Sequence, residues 1–207
     1  MTTSDFAAIP TTTLADLLGR AQVMDLGVRP LWAGMPRLAG PAFTVRCPAG
    51  DNLMLHAAIY RAEPGAVVVA EAGGDVEFAL AGGNVCAVAQ RRGVAGFVLD
   101  GVIRDLAEIR EMGFPVVARG VVPIPGTKKV VAPHNEPVVC GGVTVRAGDV
   151  VVADEDGVVV VPADRQEEVL ADARRKLAKE AAETLDEWEA AHRARIEKAL
   201  SEQGFQG

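Results

Sequence analysis

At 207 residues and 49% hydrophobic, the chain can bury one core of ordinary size, and no run of about 18 apolar residues marks a membrane span. Its net charge of −7 argues against nucleic-acid binding through a basic face. The three scattered cysteines, Cys47, Cys86 and Cys140, form no C-x-x-C pair and argue against a zinc framework or a disulfide scaffold.

Thr11–Leu18 reads as a short helix with a threonine cap. Pro30, Pro36 and Pro41 break the chain before a strand over Ala42–Cys47, which Pro48-Ala49-Gly50 closes. Asn52–Ala62 returns to helical spacing, and Ala66–Ala70 is a buried strand. Gly73-Gly74 makes a turn. Val76–Arg92 has a helical pattern that Gly82-Gly83 interrupts, with a fresh helix beginning there. Val94–Leu99 is a strand, Leu106–Met112 a helix stopped by Gly113, and Pro115–Ala118 a strand again. This alternation predicts βαβ units around a parallel sheet.

Pro123, Pro125, Pro133 and Pro137 punctuate a loop-rich stretch. Short strands follow at Val138–Cys140, Val143–Val145, Val150–Ala153 and Val158–Val161, joined by glycine turns, so this half reads as antiparallel. Asp164 and Glu167 have capping-box spacing. A helix from there to about Ser201 carries one apolar stripe through Leu170, Leu177, Leu185, Trp188, Ile196 and Leu200. It is too long to pack wholly on its own domain and is expected to meet a neighbouring subunit or to project. The predicted organisation is one mixed α/β domain over residues 1–163, layered α/β/β/α, with a helical extension over 164–207. The start of the chain shows no basic segment followed by an apolar one, so a cytoplasmic protein is expected.

Two segments carry the chemistry. Asp100-Gly101-Val102-Ile103-Arg104-Asp105 follows an apolar strand, where ligands gather in open α/β sheets. The Arg104 fork suits a carboxylate. Asp105 offers a hard oxygen for Mg²⁺ or Mn²⁺. Asp105 with Glu108 equally fits a plain helix cap. Ala81-Gly82-Gly83-Asn84 offers amides at a helix start as a seat for a carboxylate, or simply close packing. Asp51 reads as an N-cap and His56 as a structural histidine or a base. Asp154-Glu155-Asp156-Gly157 reads as an acidic hairpin turn or a metal cluster. No G-x-S-x-G, P-loop, H-E-x-x-H or G-x-G-x-x-G is present, which demotes serine hydrolysis and nucleotide chemistry.

Asp51-Asn52-Leu53, Gly82-Gly83-Asn84, Arg92–Asp105, Phe114–Gly120 and Gly148–Val158 together resemble one family over about residues 12–172. It holds the 4-hydroxy-4-methyl-2-oxoglutarate (HMG) and 4-carboxy-4-hydroxy-2-oxoadipate (CHA) aldolases and RraA, the regulator of ribonuclease E activity A. The resemblance implies a class II pyruvate aldolase, dependent on a divalent cation and often also decarboxylating oxaloacetate. It implies an α/β/β/α sandwich related to swivelling phosphohistidine domains, assembled as a homotrimer or hexamer with pockets shared between subunits. On that basis Arg104 binds the pyruvyl group, Asp105 ligates Mg²⁺, and the backbone around Gly82, Gly83, Asn84 and Val85 grips the carboxylate of a small 2-oxo acid. The family's aldolases carry an acidic residue about twenty positions before the Arg-Asp pair, holding a water on the metal. Here that position is Gly83, leaving Glu77, Asp100 or a neighbouring subunit to supply the carboxylate. Some RraA-type members act by binding proteins rather than by aldol cleavage, and these tend to lose the Asp of the pair, which this chain keeps as Asp105. A regulatory module and a lyase for another hydroxy acid are the alternatives.

Overall fold

The computed structural model describes residues 3–205. The first half runs α1 (Thr11–Leu18), β1 (Arg29–Pro30), β2 (Leu38–Arg46), α2 (Leu53–Ala58), β3 (Val67–Glu71), β4 (Ala79–Ala81) and α3 (Gly83–Arg91). Then come β5 (Gly96–Leu99), β6 (Val102–Ile103), α4 (Leu106–Met112), β7 (Val116–Ala118) and β8 (Gly120–Val121). The last part holds β9 (Val138–Cys140), β10 (Val143–Val145), β11 (Val150–Asp154), β12 (Gly157–Val161), α5 (Gln166–Ala182) and α6 (Leu185–Glu202).

The main sheet has the order β1-β7-β5-β3-β2-β11-β12. Strands β2, β3, β5 and β7 are parallel, while β11 joins β2 and β12 in antiparallel pairs. The valine runs form these strands because β-branched side chains suit a pleat buried on both faces. Alternation divides them among three cores. Phe43, Val68, Phe97, Leu99 and Val116 point to α2, α3 and α4. Val67, Val69, Val98 and Val117 point the other way and meet Val151, Ala153, Val158 and Val160 of β11 and β12. Val150, Val152, Val159 and Val161 then pack on Phe6, Leu14, Val169, Leu170 and Ala173, the last three from α5. Two sheet halves thus face each other between two helical layers, the expected α/β/β/α sandwich. Among the described residues, no helix is long and apolar enough to cross a membrane.

Several local expectations are corrected. Residues 76–82 are not helical: Ala79–Ala81 is β4, paired in parallel with β6. The C-terminal helix is two helices, because Glu183 turns to an extended conformation. The capping box is not at Asp164 but at Thr184 and Glu187, opening α6. The residue before α1 is Pro10, without a side-chain cap. The Thr11 amide is satisfied from afar by Asp154 Oδ2 at 2.9 Å. Asp154 also takes Arg37 at 3.2 Å. The acidic cluster is therefore the β11–β12 turn, with its first carboxylate already engaged.

The small sheet β4-β6-β8 repeats the lateral order of β3, β5 and β7. Each parallel strand breaks and continues into it. Arg119 holds that corner. Its Nε and Nη2 lie 2.7 and 2.6 Å from Asp100 Oδ1, and its Nη2 lies 3.1 Å from Asp25 Oδ2. Arg119 holds the Asp25 carboxyl below its ordinary pKa, chiefly through that hydrogen bond. Arg119→Met should destabilise the fold by about 2–3 kcal/mol, short of a fully buried pair because the guanidinium keeps some solvent. A carboxyl depressed in the folded state stabilises above its unfolded pKa of about 4 and loses that contribution as pH falls through the lower folded value. Urea melts from pH 6 to 3 should show a steeper loss of stability for the parent chain than for the variant.

Candidate active site

The C-terminal ends of the parallel strands deliver the site. Only Arg104 and Asp105 separate β6 from α4, so the chain must turn sharply. Asp105 makes the turn in the left-handed region, at φ 60° and ψ 38°, where Asp is among the few tolerated side chains. It does not cap its own helix. Its Oδ2 accepts from the Gly83 amide at 3.0 Å, the first residue of α3, and stands 3.5 Å from Arg104 Nε. The plain capping-box reading of Asp105 and Glu108 is therefore corrected: the carboxylate bridges two helix starts. About a third of it remains exposed, as does 42% of Arg104.

These groups line a cavity of about 60 Å³ with Gly82, Asn84 and Val85. A cavity of that size has room for a small molecule. In a helix starting at Gly83, the Asn84 and Val85 amides have no intrahelical acceptor. Gly82 is required for space. A Cβ there would stand 2.5 Å from Asp105 Oδ2 and 3.0 Å from Arg104 Cγ and Nε. Its φ of −150° is ordinary.

Sequence reasoning singled out Asn52 and His56 without placing them at this cavity, and it missed Lys128. Asn52, His56, Pro125 and Lys128 also line the cavity. Asn52 is 3% exposed. Its Nδ2 donates to Ala79 O at 3.1 Å, while its Oδ1 is buried without a partner. Burial first, then the charges of Lys128 and Arg104, lower the His56 pKa, so its imidazole is neutral at pH 7. Asp51 is a tether, and Asn52 takes the N-cap position. Asp51 Oδ1 accepts from Leu53 N, and Oδ2 from Thr127 Oγ1 at 2.8 Å and Lys129 N at 2.6 Å. These bonds hold the loop that brings Lys128 to the cavity. Burial raises the Asp51 pKa, but the hydrogen bonds outweigh it and hold it below the ordinary value.

The position opposite Gly83 is filled from another element. A Cβ on Gly83 would stand 2.1 Å from Glu108 Oε2, so that carboxylate occupies the space a side chain at 83 would take. Asp100 is committed to Arg119, and Glu77 is exposed outside the cavity lining. Among the described residues, no group of three or more His, Cys, Asp or Glu forms a metal cluster. The donor set fits Mg²⁺, which binds through one or two carboxylates and fills its shell with water and substrate oxygens. It does not resemble a zinc site.

The cavity thus sets the Arg104 and Lys128 charges beside the Asp105 carboxylate at the ends of the parallel strands. Residues 11–160 match the RraA-like family, Aldolase/RraA, and the chain belongs to that family. It is similar to a Halalkalibacterium halodurans protein named "Putative 4-hydroxy-4-methyl-2-oxoglutarate aldolase", at 40% identity over 84% of this chain and 83% of that one. Among solved structures it resembles the RNA-processing inhibitor RraA from Thermus thermophilis, with TM-score 0.67, 30% identity and coverage of 74% and 92%. It also resembles a Streptomyces coelicolor protein described as an unusual member of the RNase ES inhibitor RraA family, with TM-score 0.73, 29% identity and coverage of 93% and 96%. That 93% exceeds what residues 1–163 provide, so this likeness reaches into the C-terminal helices.

Proposed function

We propose that this chain is a divalent-cation-dependent lyase that cleaves a 4-hydroxy-2-oxo acid of the HMG or CHA type to pyruvate and a second oxo acid. Oxaloacetate decarboxylation accompanies it. The observation that carries the reading is one small cavity holding Arg104, Asp105 and the free α3 amides together. Catalysis is assigned to residues 1–163.

Asp105 is the residue to hold Mg²⁺ or Mn²⁺, and Asn52, whose buried Oδ1 has no partner, lines the same cavity. Bound there, the cation supplies Lewis-acid withdrawal of electrons from the 2-oxo group. The Asn84 and Val85 amides seat the 1-carboxylate. Arg104 orients the 2-oxo oxygen and balances the charge that develops on it as the C3–C4 bond breaks. Lys128 is the charge available to a second carboxylate. His56, held neutral, is the base available for the 4-hydroxyl proton. Glu108, whose carboxylate fills the space beside Gly83 from outside the cavity lining, is the nearest carboxylate to the position that lacks one.

The test is pyruvate release from HMG, CHA and oxaloacetate with Mg²⁺ and with EDTA. Metal-dependent release supports the reading; none from any of the three overturns it. The likeness to RraA favours a second reading, a regulator that binds a protein partner, and inactivity together with ribonuclease inhibition would establish that instead. Arg104→Lys keeps the charge and loses the fork. It should lower kcat/KM for oxaloacetate at least about fivefold, the loss of more than ~1 kcal/mol. A change under about twofold in both kinetic constants would remove Arg104 as substrate clamp.

Assembly as a homotrimer or dimer of trimers, with pockets completed between subunits, belongs to the same proposal. The loop carrying Pro125 and Lys128 exposes Ile124, Val130 and Val131, and Val121 beside it is also exposed. Such an apolar rim beside a half-open cavity suits a subunit contact. Light scattering with size exclusion checks the mass, and a fully active monomer would refute the shared pocket.

A further inference from the structure

Gly83 opens α3 and is buried. It has no positive φ, so its backbone would accept other residues. What excludes them is a neighbour. A Cβ at residue 83 would overlap Glu108 Oε2 and stand 3.3 Å from Glu108 Cδ. The Glu108 carboxylate therefore fills the volume that a side chain at 83 would fill, and the two exclude each other.

Glu108 lies in the first turn of α4, three residues after Asp105. Both reach across to α3. Asp105 Oδ2 takes the Gly83 amide at 3.0 Å, while Glu108 comes over the Gly83 Cα. Two carboxylates thus flank one residue. Arg104 pairs with Asp105, and among the described residues no cation pairs with Glu108. Like charges held this near each other cost energy until a cation joins them. Mg²⁺ takes one or two carboxylates and keeps several waters, and those waters need acceptors. Glu108 lies outside the cavity lining, which suits it to a water on the cation rather than to the cation itself.

We propose that Glu108 is a positioning residue of the cation site: from the space that Gly83 leaves open, its carboxylate holds water bound to the cation on Asp105. This rests on the divalent cation of the function proposed above and names a residue through which this chain holds it. Groups that orient a metal's own ligands typically contribute about 10–100-fold in affinity. Residues 83 and 108 then act as one unit, in which a carboxylate at either place serves and side chains at both do not fit.

The test is Mn²⁺ binding to the full chain, read by calorimetry with the metal alone. Glu108→Ala should weaken it about 10–100-fold and leave the melting temperature within a few degrees of the parent, since the side chain is exposed. Gly83→Ala should weaken it comparably without removing any charge, because the added methyl displaces the Glu108 carboxylate. Gly83→Asp combined with Glu108→Ala should bring the affinity back to within about threefold of the parent, the non-additivity of residues that share one space. A merely structural role for Glu108 would not be rescued by an acid on a different helix. Affinity within about twofold of the parent in either alanine variant, or no recovery in the double variant, overturns the proposal. Failure of the underlying reading looks different: a parent chain that binds no Mn²⁺, or binds it equally well after Asp105→Ala, removes the cation site and this role with it.

Discussion

Asp105→Ala is expected to abolish metal-dependent turnover while leaving the fold in place. The side chain makes no cap bond to α4, so the structural loss is its contact with Gly83 and the strain of alanine at positive φ, together about 1–3 kcal/mol. The functional loss is larger. A Lewis acid contributes several kcal/mol at the transition state, and each ~1.4 kcal/mol is tenfold in rate. A fall of about a thousandfold in kcat should appear, with Mn²⁺ affinity lost in parallel by calorimetry. Asp105→Asn is the control that keeps the shape and tolerates the left-handed backbone. Near-normal activity in Asp105→Ala would remove Asp105 from the metal site.

Gly82→Ala should be nearly as damaging for an unrelated reason. The added methyl removes no functional group, yet it would stand 2.5 Å from Asp105 Oδ2 and 3.0 Å from Arg104. Both side chains must swing aside. They are partly exposed, so they can do so at modest cost in stability. A displacement of about 1 Å at reacting groups costs on the order of a hundredfold. The expected outcome is kcat/KM down by about that factor with a melting temperature within a few degrees of the parent. Unaltered kinetics would mean that Arg104 and Asp105 do not act from the positions seen here.

What the sequence revealed followed from strong local signals. Valine runs such as Val67–Val69 and Val158–Val161 could hardly be anything but buried strands, and Gly113 stops α4 with a left-handed C-cap as its position suggested. Residues 76–82 misled because Glu77, Ala79, Leu80 and Ala81 favour helices locally. Their strand state comes from pairing with β6, which only the tertiary structure supplies. The α5–α6 break carried a readable signal, Thr184 followed three residues on by Glu187, hidden inside a continuous apolar stripe. At the site, the Arg104-Asp105 and Gly82-Gly83 segments were legible because strand ends and helix starts are. Lys128 was not. Its place depends on Asp51 gripping Thr127 and Lys129, more than seventy residues away, and nothing in the proline-rich loop announces that contact. Glu108 was hidden for a related reason, since its carboxylate reaches α3 rather than its own backbone.

The pairing of β11 between β2 and β12 has a bearing on how the chain is made. Strand β2 is complete by Arg46, but one edge stays unpaired until residues 150–154 arrive. Phe6 and Leu14 wait longer still, because their apolar partners Val169, Leu170 and Ala173 lie in α5. During synthesis the ribosome therefore releases an apolar strand edge and an uncovered first helix well before their cover exists. Such non-local closure makes folding slow and exposes the nascent chain to aggregation. The βαβ segment from β2 to β7 can collapse early, but the sandwich closes only after α5 has left the exit tunnel. Stopping translation before residue 166 should yield a chain that stays protease-sensitive, while one extended through α5 becomes resistant.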